Sequence, residues 1–69
     1  MGWNLEGLRV TATYLDSEYT ITGRVESSRV KYGGNVQHTV MLDEATEIYG
    51  NVRDRLLIKH KDVIKIESN

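Results

Sequence analysis

The sequence predicts an all-β fold, a single five-stranded and strongly bent antiparallel barrel with at most one N-terminal helical turn. Val, Ile and Thr together supply 18 of the 69 residues, whereas Ala, the best helix former, occurs only twice. Apolar and polar side chains alternate with a period of two along several stretches. Turn-forming Gly, Asn and Asp residues separate these stretches at short intervals, which is typical of small barrels.

The first three strands follow from this alternation. Strand one is predicted over residues 8–14, and a turn over residues 15–18 follows it. Strand two is predicted from Tyr19 through residue 26, with an extension toward Tyr32 left open. Gly33-Gly34-Asn35 predicts a hairpin turn, because glycine adopts positive φ freely and Asn tolerates it. Strand three is then predicted over residues 36–42.

The second half of the chain predicts two more strands. Residues 43–51 carry three acids and end in Gly50-Asn51, which predicts either a variable loop or a ragged hairpin. Strand four is predicted over residues 52–59, a tight polar turn over residues 60–62, and strand five over residues 63–67. Three consecutive apolar residues, 56–58, break the alternation, so strand four presents apolar side chains on both faces. We expect a neighbouring subunit to cover the outer face.

Length and composition limit the possible functions. The chain is expected to be one domain, with residues 1–7 as an N-terminal arm or turn and residues 8–67 as the barrel. It has no cysteine and only two histidines, so neither disulfides nor a structural zinc site is expected, and no cofactor is expected. A core this small favours burial against other copies of the chain. The net charge of −1 excludes a bulk polycation.

No segment of the sequence is expected to cross a membrane. The longest apolar runs contain three residues, far fewer than the roughly 20 that a spanning helix needs. The N-terminus has neither a basic start nor an apolar stretch, and Glu6 stands where a myristoylation motif requires Ser or Thr. A cytoplasmic location is therefore the default expectation.

Two stretches resemble the Sm, LSm and Hfq family of small β-barrels of the SH3-like kind. The first is residues 10–27, which contain Gly23-Arg24-Val25-Glu26-Ser27 and are similar to the first Sm signature. The second is Leu57-Ile58-Lys59-His60, followed by Val63 and Ile66, which is similar to the second signature and carries the Lys-His pair of Hfq-type proteins. Gly23 stands where the family has its glycine, at the point where strand two must bend sharply.

The resemblance implies a homo-oligomeric ring of about five to seven subunits with closed cyclic symmetry. In the family, strand four of one subunit joins strand five of the next, and the rings bind single-stranded RNA, here expected to be U-rich or A/U-rich, as chaperones or regulators. It implies a subunit interface at Leu56, Leu57, Ile58, Val63 and Ile64. The expected RNA-binding residues are Lys59, His60, His38, Thr39, Arg29 and Tyr32.

Each of these residues also has a simpler interpretation. The residues around Lys59 can form an ordinary solvated turn, and His38 can be a satisfied strand residue with Tyr32 packed on its hairpin. Arg29 stands where Sm proteins have an aspartate, and Thr39 or a residue near it stands where they have the asparagine that reads uracil. An Sm-like structural or protein-interaction module without RNA binding is therefore an alternative, and an isolated SH3-like monomer is another.

An enzyme is not expected. The sequence has no cysteine nucleophile, no Gly-rich phosphate loop and no His-x-x-x-His pair. A domain of this size is also not expected to form a cleft of the few hundred Å³ that small-molecule sites occupy.

Overall fold

The computed structural model describes residues 3–67 of the chain. It contains five β-strands and one short 3₁₀ turn. The strands are β1 (Arg9–Tyr14), β2 (Tyr19–Val30), β3 (Val36–Ile48), β4 (Asn51–Lys59) and β5 (Val63–Glu67), and the 3₁₀ turn (His60–Asp62) lies between β4 and β5. No α-helix occurs within residues 3–67, and no helix there is long and apolar enough to cross a membrane.

All five strands form one antiparallel sheet in the order β4-β3-β2-β1-β5. The predicted all-β class with five antiparallel strands is therefore confirmed. The barrel itself is not closed, because among the described residues β4 pairs only with β3 and β5 pairs only with β1. Closure of a barrel requires a hydrogen-bonded ladder between the two outer strands. This molecule instead keeps two free strand edges.

The sheet must nevertheless curl strongly. In a flat five-stranded sheet the outer strands are four spacings of about 4.8 Å apart, roughly 19 Å in all. The 3₁₀ turn connects β4 directly to β5 with only three residues, and such turns advance about 2 Å per residue. The end of β4 and the start of β5 can meet across so short a link only if the sheet bends. Thr13 Oγ on β1 donates to the Asp62 carbonyl oxygen at 3.5 Å, which holds the 3₁₀ turn against β1.

The concave side of the sheet holds a single apolar core. Gly7 N–H donates to the Val25 carbonyl and Val25 N–H donates to the Leu8 carbonyl, so the N-terminal segment is held against β2 and places Leu5 in this core. Trp3 is partly exposed. The buried apolar residues are Leu5, Val10, Ala12, Ile21, Val25, Val40, Ile48, Leu56 and Ile58.

The structure extends two predicted strands. β2 continues through Val30, and β3 continues through the acidic stretch to Ile48, so residues 43–51 form a hairpin rather than a loop. The hairpin is ragged, because the β3–β4 register shifts between Met41 and Thr46. Alternation fails as a signal at such a bulge, since its residues leave the regular pleat. Tyr49 and Gly50 then close a tight turn with φ values of 50° and 83°.

Candidate functional site

A surface groove of about 590 Å³ lies between the β2–β3 hairpin tip and the 3₁₀ turn. One wall consists of Lys31, Tyr32 and residues 34–37, and the other consists of residues 59–61. We call it the lysine groove. The groove is open to solvent, so it is not an enclosed cleft of the kind that small-molecule sites occupy. The long β2–β3 hairpin creates the groove because its tip extends beyond the end of β4.

The lysine groove is positively charged although the chain as a whole is not. Lys31 lies on the hairpin wall, Lys59 ends β4, and Lys61 lies within the 3₁₀ turn. No acidic side chain from the described residues lines the groove. The net charge of −1 is therefore distributed unevenly. A groove lined by cations attracts anionic ligands, and phosphate groups above all.

Tyr32 stands at the hairpin tip with its side chain fully exposed, at 103% of the reference accessibility. The tip is a tight turn in which Gly34 N–H donates to the Lys31 carbonyl at 2.9 Å. Gly33 occupies the third turn position with a φ of 89°, a value that type II turns require and that favours glycine. The turn therefore projects Tyr32 into solvent beside the groove. An exposed aromatic ring offers a stacking surface to an unpaired base.

The two histidines of the chain contact each other beneath the groove. His38 Nε2 lies 2.8 Å from His60 Nδ1, and the ring centroids are 5.1 Å apart. His38 is fully buried, whereas His60 is half-buried and lines the groove. The contact forms because the curl of the sheet brings the 3₁₀ turn over β3. His38 therefore has no surface available to a ligand, and only His60 of the pair reaches the groove.

Ser28 completes the environment of His38. Its Oγ lies 2.7 Å from His38 Nδ1, and it also accepts a hydrogen bond from Leu5 N–H at 3.0 Å. Both ring nitrogens of His38 are thus satisfied by protein groups. Burial, followed by the proximity of His60, lowers the pKa of His38 below the ordinary value of 6.5. His38 is consequently neutral at physiological pH.

The remaining predicted RNA-binding residues lie next to the groove rather than in it. In the sheet register Arg29 is opposite Gln37, and Gln37 is opposite Lys59. Directly paired antiparallel residues point to the same face, so these three side chains form a row across β2, β3 and β4. Thr39 belongs to the next row, paired with Ser27 and Leu57. Neither Arg29 nor Thr39 lines the lysine groove.

The five predicted interface residues divide into two groups. Leu56 and Ile58 are buried in the core of the chain itself, and Val63 packs partly against that core. Leu57 and Ile64 are 58% and 62% exposed, and both lie on the outer strands of the sheet. The outer strands also expose Val52 and Ile66. Both free edges of the sheet therefore carry exposed apolar side chains, which are features of a surface that binds another chain.

Sequence reasoning missed two residues whose positions follow from the hairpin register. Val30 pairs with Val36 around the glycine turn, so counting back two residues on each strand pairs Ser28 with His38. The same count pairs Arg29 with Gln37, whose side chain lines the groove. The turn signal at Gly33-Gly34 contained this information, because hairpin register is set by the turn.

Within residues 3–67 no cluster of three or more His, Cys, Asp or Glu side chains is arranged to hold a metal ion. The chain was compared with protein-family models, with curated proteins and with solved structures, and none of the three comparisons finds a significant match. The likeness to the Sm, LSm and Hfq family therefore depends on the two short stretches quoted above.

Proposed function

We propose that this chain is an Sm-like subunit of a homo-oligomeric ring of about five to seven copies that binds single-stranded RNA, as a cytoplasmic chaperone or regulator. The observation that carries the proposal is the lysine groove. It combines three lysines, one accessible histidine and an exposed tyrosine, with no acidic side chain from the described residues among its walls.

The charges of the groove favour a phosphate backbone. Lysine binds phosphate as a point charge, and each phosphate that is neutralised releases condensed counterions. Lys59 and Lys61 lie on one wall and Lys31 on the other, so an extended anionic strand can contact both walls. A single strand fits this arrangement better than a duplex does, because its bases are free to leave the backbone and stack.

Tyr32 supports the choice of an unpaired nucleic acid. Its ring is exposed at the rim of the groove, next to Lys31. Base-aromatic stacking tolerates any sequence, so the preference for U-rich or A/U-rich RNA depends on polar groups such as His60 and Gln37. Both of these residues line the groove.

The two free sheet edges support the ring. Edge strands have unpaired backbone groups and readily add a strand from another chain. Here the free strands are β4 and β5, the pair that the Sm resemblance joins between neighbours, and both expose apolar side chains such as Leu57 and Ile64. A repeated β4-to-β5 contact is head-to-tail, and a head-to-tail contact that closes gives a ring.

Native mass spectrometry of the protein, alone and with a short oligouridine, tests both parts of the proposal. We expect a closed oligomer that takes up RNA at a fixed stoichiometry. Lys61→Glu should weaken binding, and its matched control is Arg53→Glu, the same charge change at an exposed position on β4 remote from the groove. Equal RNA affinity for the two variants would show that the groove is not the binding site.

A ring without RNA binding is the second candidate function. The exposed apolar side chains at both sheet edges favour an assembly whether or not RNA is present, and the overall charge of the chain is slightly negative. Such a structural or protein-interaction module is distinguished by the purified protein itself. This candidate is supported over the first by two results together. The 260/280 nm absorbance ratio, measured before any high-salt wash, should be that of protein without nucleic acid, and the oligomer should not bind oligouridine.

A further inference from the structure

A chain of hydrogen bonds connects the N-terminal segment to the lysine groove. Leu5 N–H donates to Ser28 Oγ at 3.0 Å, Ser28 Oγ lies 2.7 Å from His38 Nδ1, and His38 Nε2 lies 2.8 Å from His60 Nδ1. All four residues are at least partly shielded from water, and His38 is fully buried. The position of the hydrogen in each of these hydrogen bonds therefore determines the position of the hydrogen in the next bond.

Ser28 determines which group donates and which accepts in this series of hydrogen bonds. A backbone N–H can only donate, so the hydrogen bond from Leu5 occupies one lone pair of the Ser28 hydroxyl oxygen. The hydroxyl has one hydrogen of its own. Among the described residues His38 Nδ1 is the acceptor within hydrogen-bond distance of Ser28 Oγ. Donation from Ser28 to His38 Nδ1 satisfies every group, and it leaves the hydrogen of the neutral His38 ring on Nε2.

The same reasoning extends to His60. With a hydrogen on Nε2, His38 donates to His60 Nδ1, so the neutral His60 ring has its own hydrogen on Nε2. His60 lines the groove, and Nε2 is the ring nitrogen that its contact with His38 leaves available. We propose that Ser28 is a positioning residue that fixes the tautomer of His60, so that the groove presents an N–H donor to an acceptor oxygen of the bound RNA. The role of this donor rests on the proposed function, whereas the tautomer does not.

The arrangement also opposes proton uptake by His38. A proton added to its ring leaves a hydrogen on Nδ1, which must then donate to Ser28 Oγ. The Ser28 hydroxyl hydrogen loses its acceptor in that state, which is costly for a shielded polar group. The lowered pKa of His38 agrees with this asymmetry.

The charged groups near the two rings are Lys59 and Lys61, which flank His60 in sequence, Lys31 across the groove, Asp62 in the same 3₁₀ turn, and Glu6, which accepts a hydrogen bond from Ser28 N–H at 3.0 Å. The two ring nitrogens of His38 contact Ser28 and His60 rather than any of these charged groups.

Long-range ¹H–¹⁵N correlation spectra of the full chain, recorded without RNA, test the tautomer directly. We expect both histidine rings of the wild type to show hydrogen on Nε2 and none on Nδ1 at about pH 8, where an imidazole is neutral. In Ser28→Ala, His38 should gain Nδ1–H character. Ser28→Thr retains the hydroxyl and should restore the wild-type spectrum. Ser27→Ala is the matched control, because Ser27 belongs to the row of Thr39 on the other face of the sheet.

Two results would overturn the proposal. The first is Nδ1–H on His38 in the wild type, which decides the question even if Ser28→Ala fails to fold. The second is a folded Ser28→Ala variant in which the ring nitrogen shifts of both histidines are unchanged.

The acceptor on the ligand is identified by adding oligouridine and, separately, inorganic phosphate to the same sample. A shift of His60 Nε2 with phosphate alone assigns the donor to a phosphate oxygen, and a shift with oligouridine alone assigns it to a base carbonyl. If neither ligand binds, the RNA function fails, whereas the spectrum of the free protein still decides the tautomer. If oligouridine binds and leaves His60 unperturbed, the donor role fails although the RNA function holds.

Discussion

The Gly23 backbone on β2 and the Met41 carbonyl on β3 lie so close together that there is no space for a side chain at position 23. A Cβ atom built on Gly23 would lie 2.2 Å from the Met41 carbonyl oxygen and 2.8 Å from Val40 Cγ1. Real Cβ atoms do not make such contacts, and a carbonyl oxygen held in a β-ladder cannot move away cheaply. The glycine that the Sm resemblance singled out is therefore needed for the close approach of β2 and β3.

The first prediction concerns this contact. Gly23→Ala should lower the free energy of unfolding by about 3 kcal/mol or more, because the clash is with backbone. Urea denaturation followed by circular dichroism measures the change. Gly7→Ala is the control, since no atom lies within 4 Å of its added Cβ and only its φ of 86° opposes the substitution. That variant should lose only about 1–2 kcal/mol. Equal losses at the two glycines would contradict a steric role for Gly23.

The second prediction is a dependence of stability on pH. Burial, followed by the proximity of His60, lowers the pKa of His38 in the folded state. Below pH 6.5 the unfolded chain binds a proton that the folded chain excludes, so stability is fully present above pH 6.5 and decreases as the pH falls toward the lowered pKa. The urea midpoint should therefore be lower at pH 5.5 than at pH 7.5. Urea denaturation at the two pH values measures this difference, and His38→Gln should reduce it. A wild type whose midpoint is the same at both pH values contradicts this prediction.

The third prediction distinguishes assembly from folding at two neighbouring leucines. Leu57 is 58% exposed, so Leu57→Glu should leave the single chain folded while it breaks the proposed ring into monomers. Leu56 is buried, so Leu56→Ala should instead cost about 2–5 kcal/mol of folding stability. Light scattering coupled to size exclusion reports the mass, and circular dichroism reports the fold. If the Leu57→Glu protein elutes at the same volume as the wild type, Leu57 on β4 is not part of a subunit contact.

The fourth prediction concerns stacking at the groove rim. Tyr32→Ala should weaken the binding of oligouridine by about 5- to 150-fold, the equivalent of about 1–3 kcal/mol for one stacked base. Because the ring is fully exposed, the thermal midpoint should not change. Fluorescence anisotropy with a labelled oligomer measures the affinity. Tyr32→Phe keeps the stacking surface and should bind as the wild type does, and an alanine variant of equal affinity would remove Tyr32 from the site.

Turn residues and alternation predicted most of the sheet. Strand five has its predicted bounds, and strand four starts one residue earlier than predicted, at Asn51. The sequence does not distinguish a loop from a continuation of β3 to Ile48, because the bulge after Met41 removes the alternation on which the prediction depends. The alternation of apolar and polar residues predicts strands well where the pleat is regular. It fails at a bulge, where side chains no longer alternate between the two faces of the sheet.

The site was predictable in part. Lys59, His60 and Tyr32 were all selected from the sequence, and the structure brings them to one groove. The contact between His38 and His60 could not be predicted, since it depends on how far the sheet curls between two residues 22 positions apart. Curvature is a property of the whole sheet, and no short window of sequence specifies it.

The pairing of β1 with β5 has a consequence for how the chain folds. Arg9 lies opposite Glu67, and their side chains form a salt bridge between residues 58 positions apart in sequence. The outer edge of β1 therefore acquires its partner only when two segments 58 positions apart meet, which requires the closure of a long loop. Sheets dominated by such distant pairs fold on timescales of milliseconds to seconds rather than microseconds. Until β5 docks, a nascent or refolding chain exposes the edge of β1, and a chaperone or a second chain would meet it there.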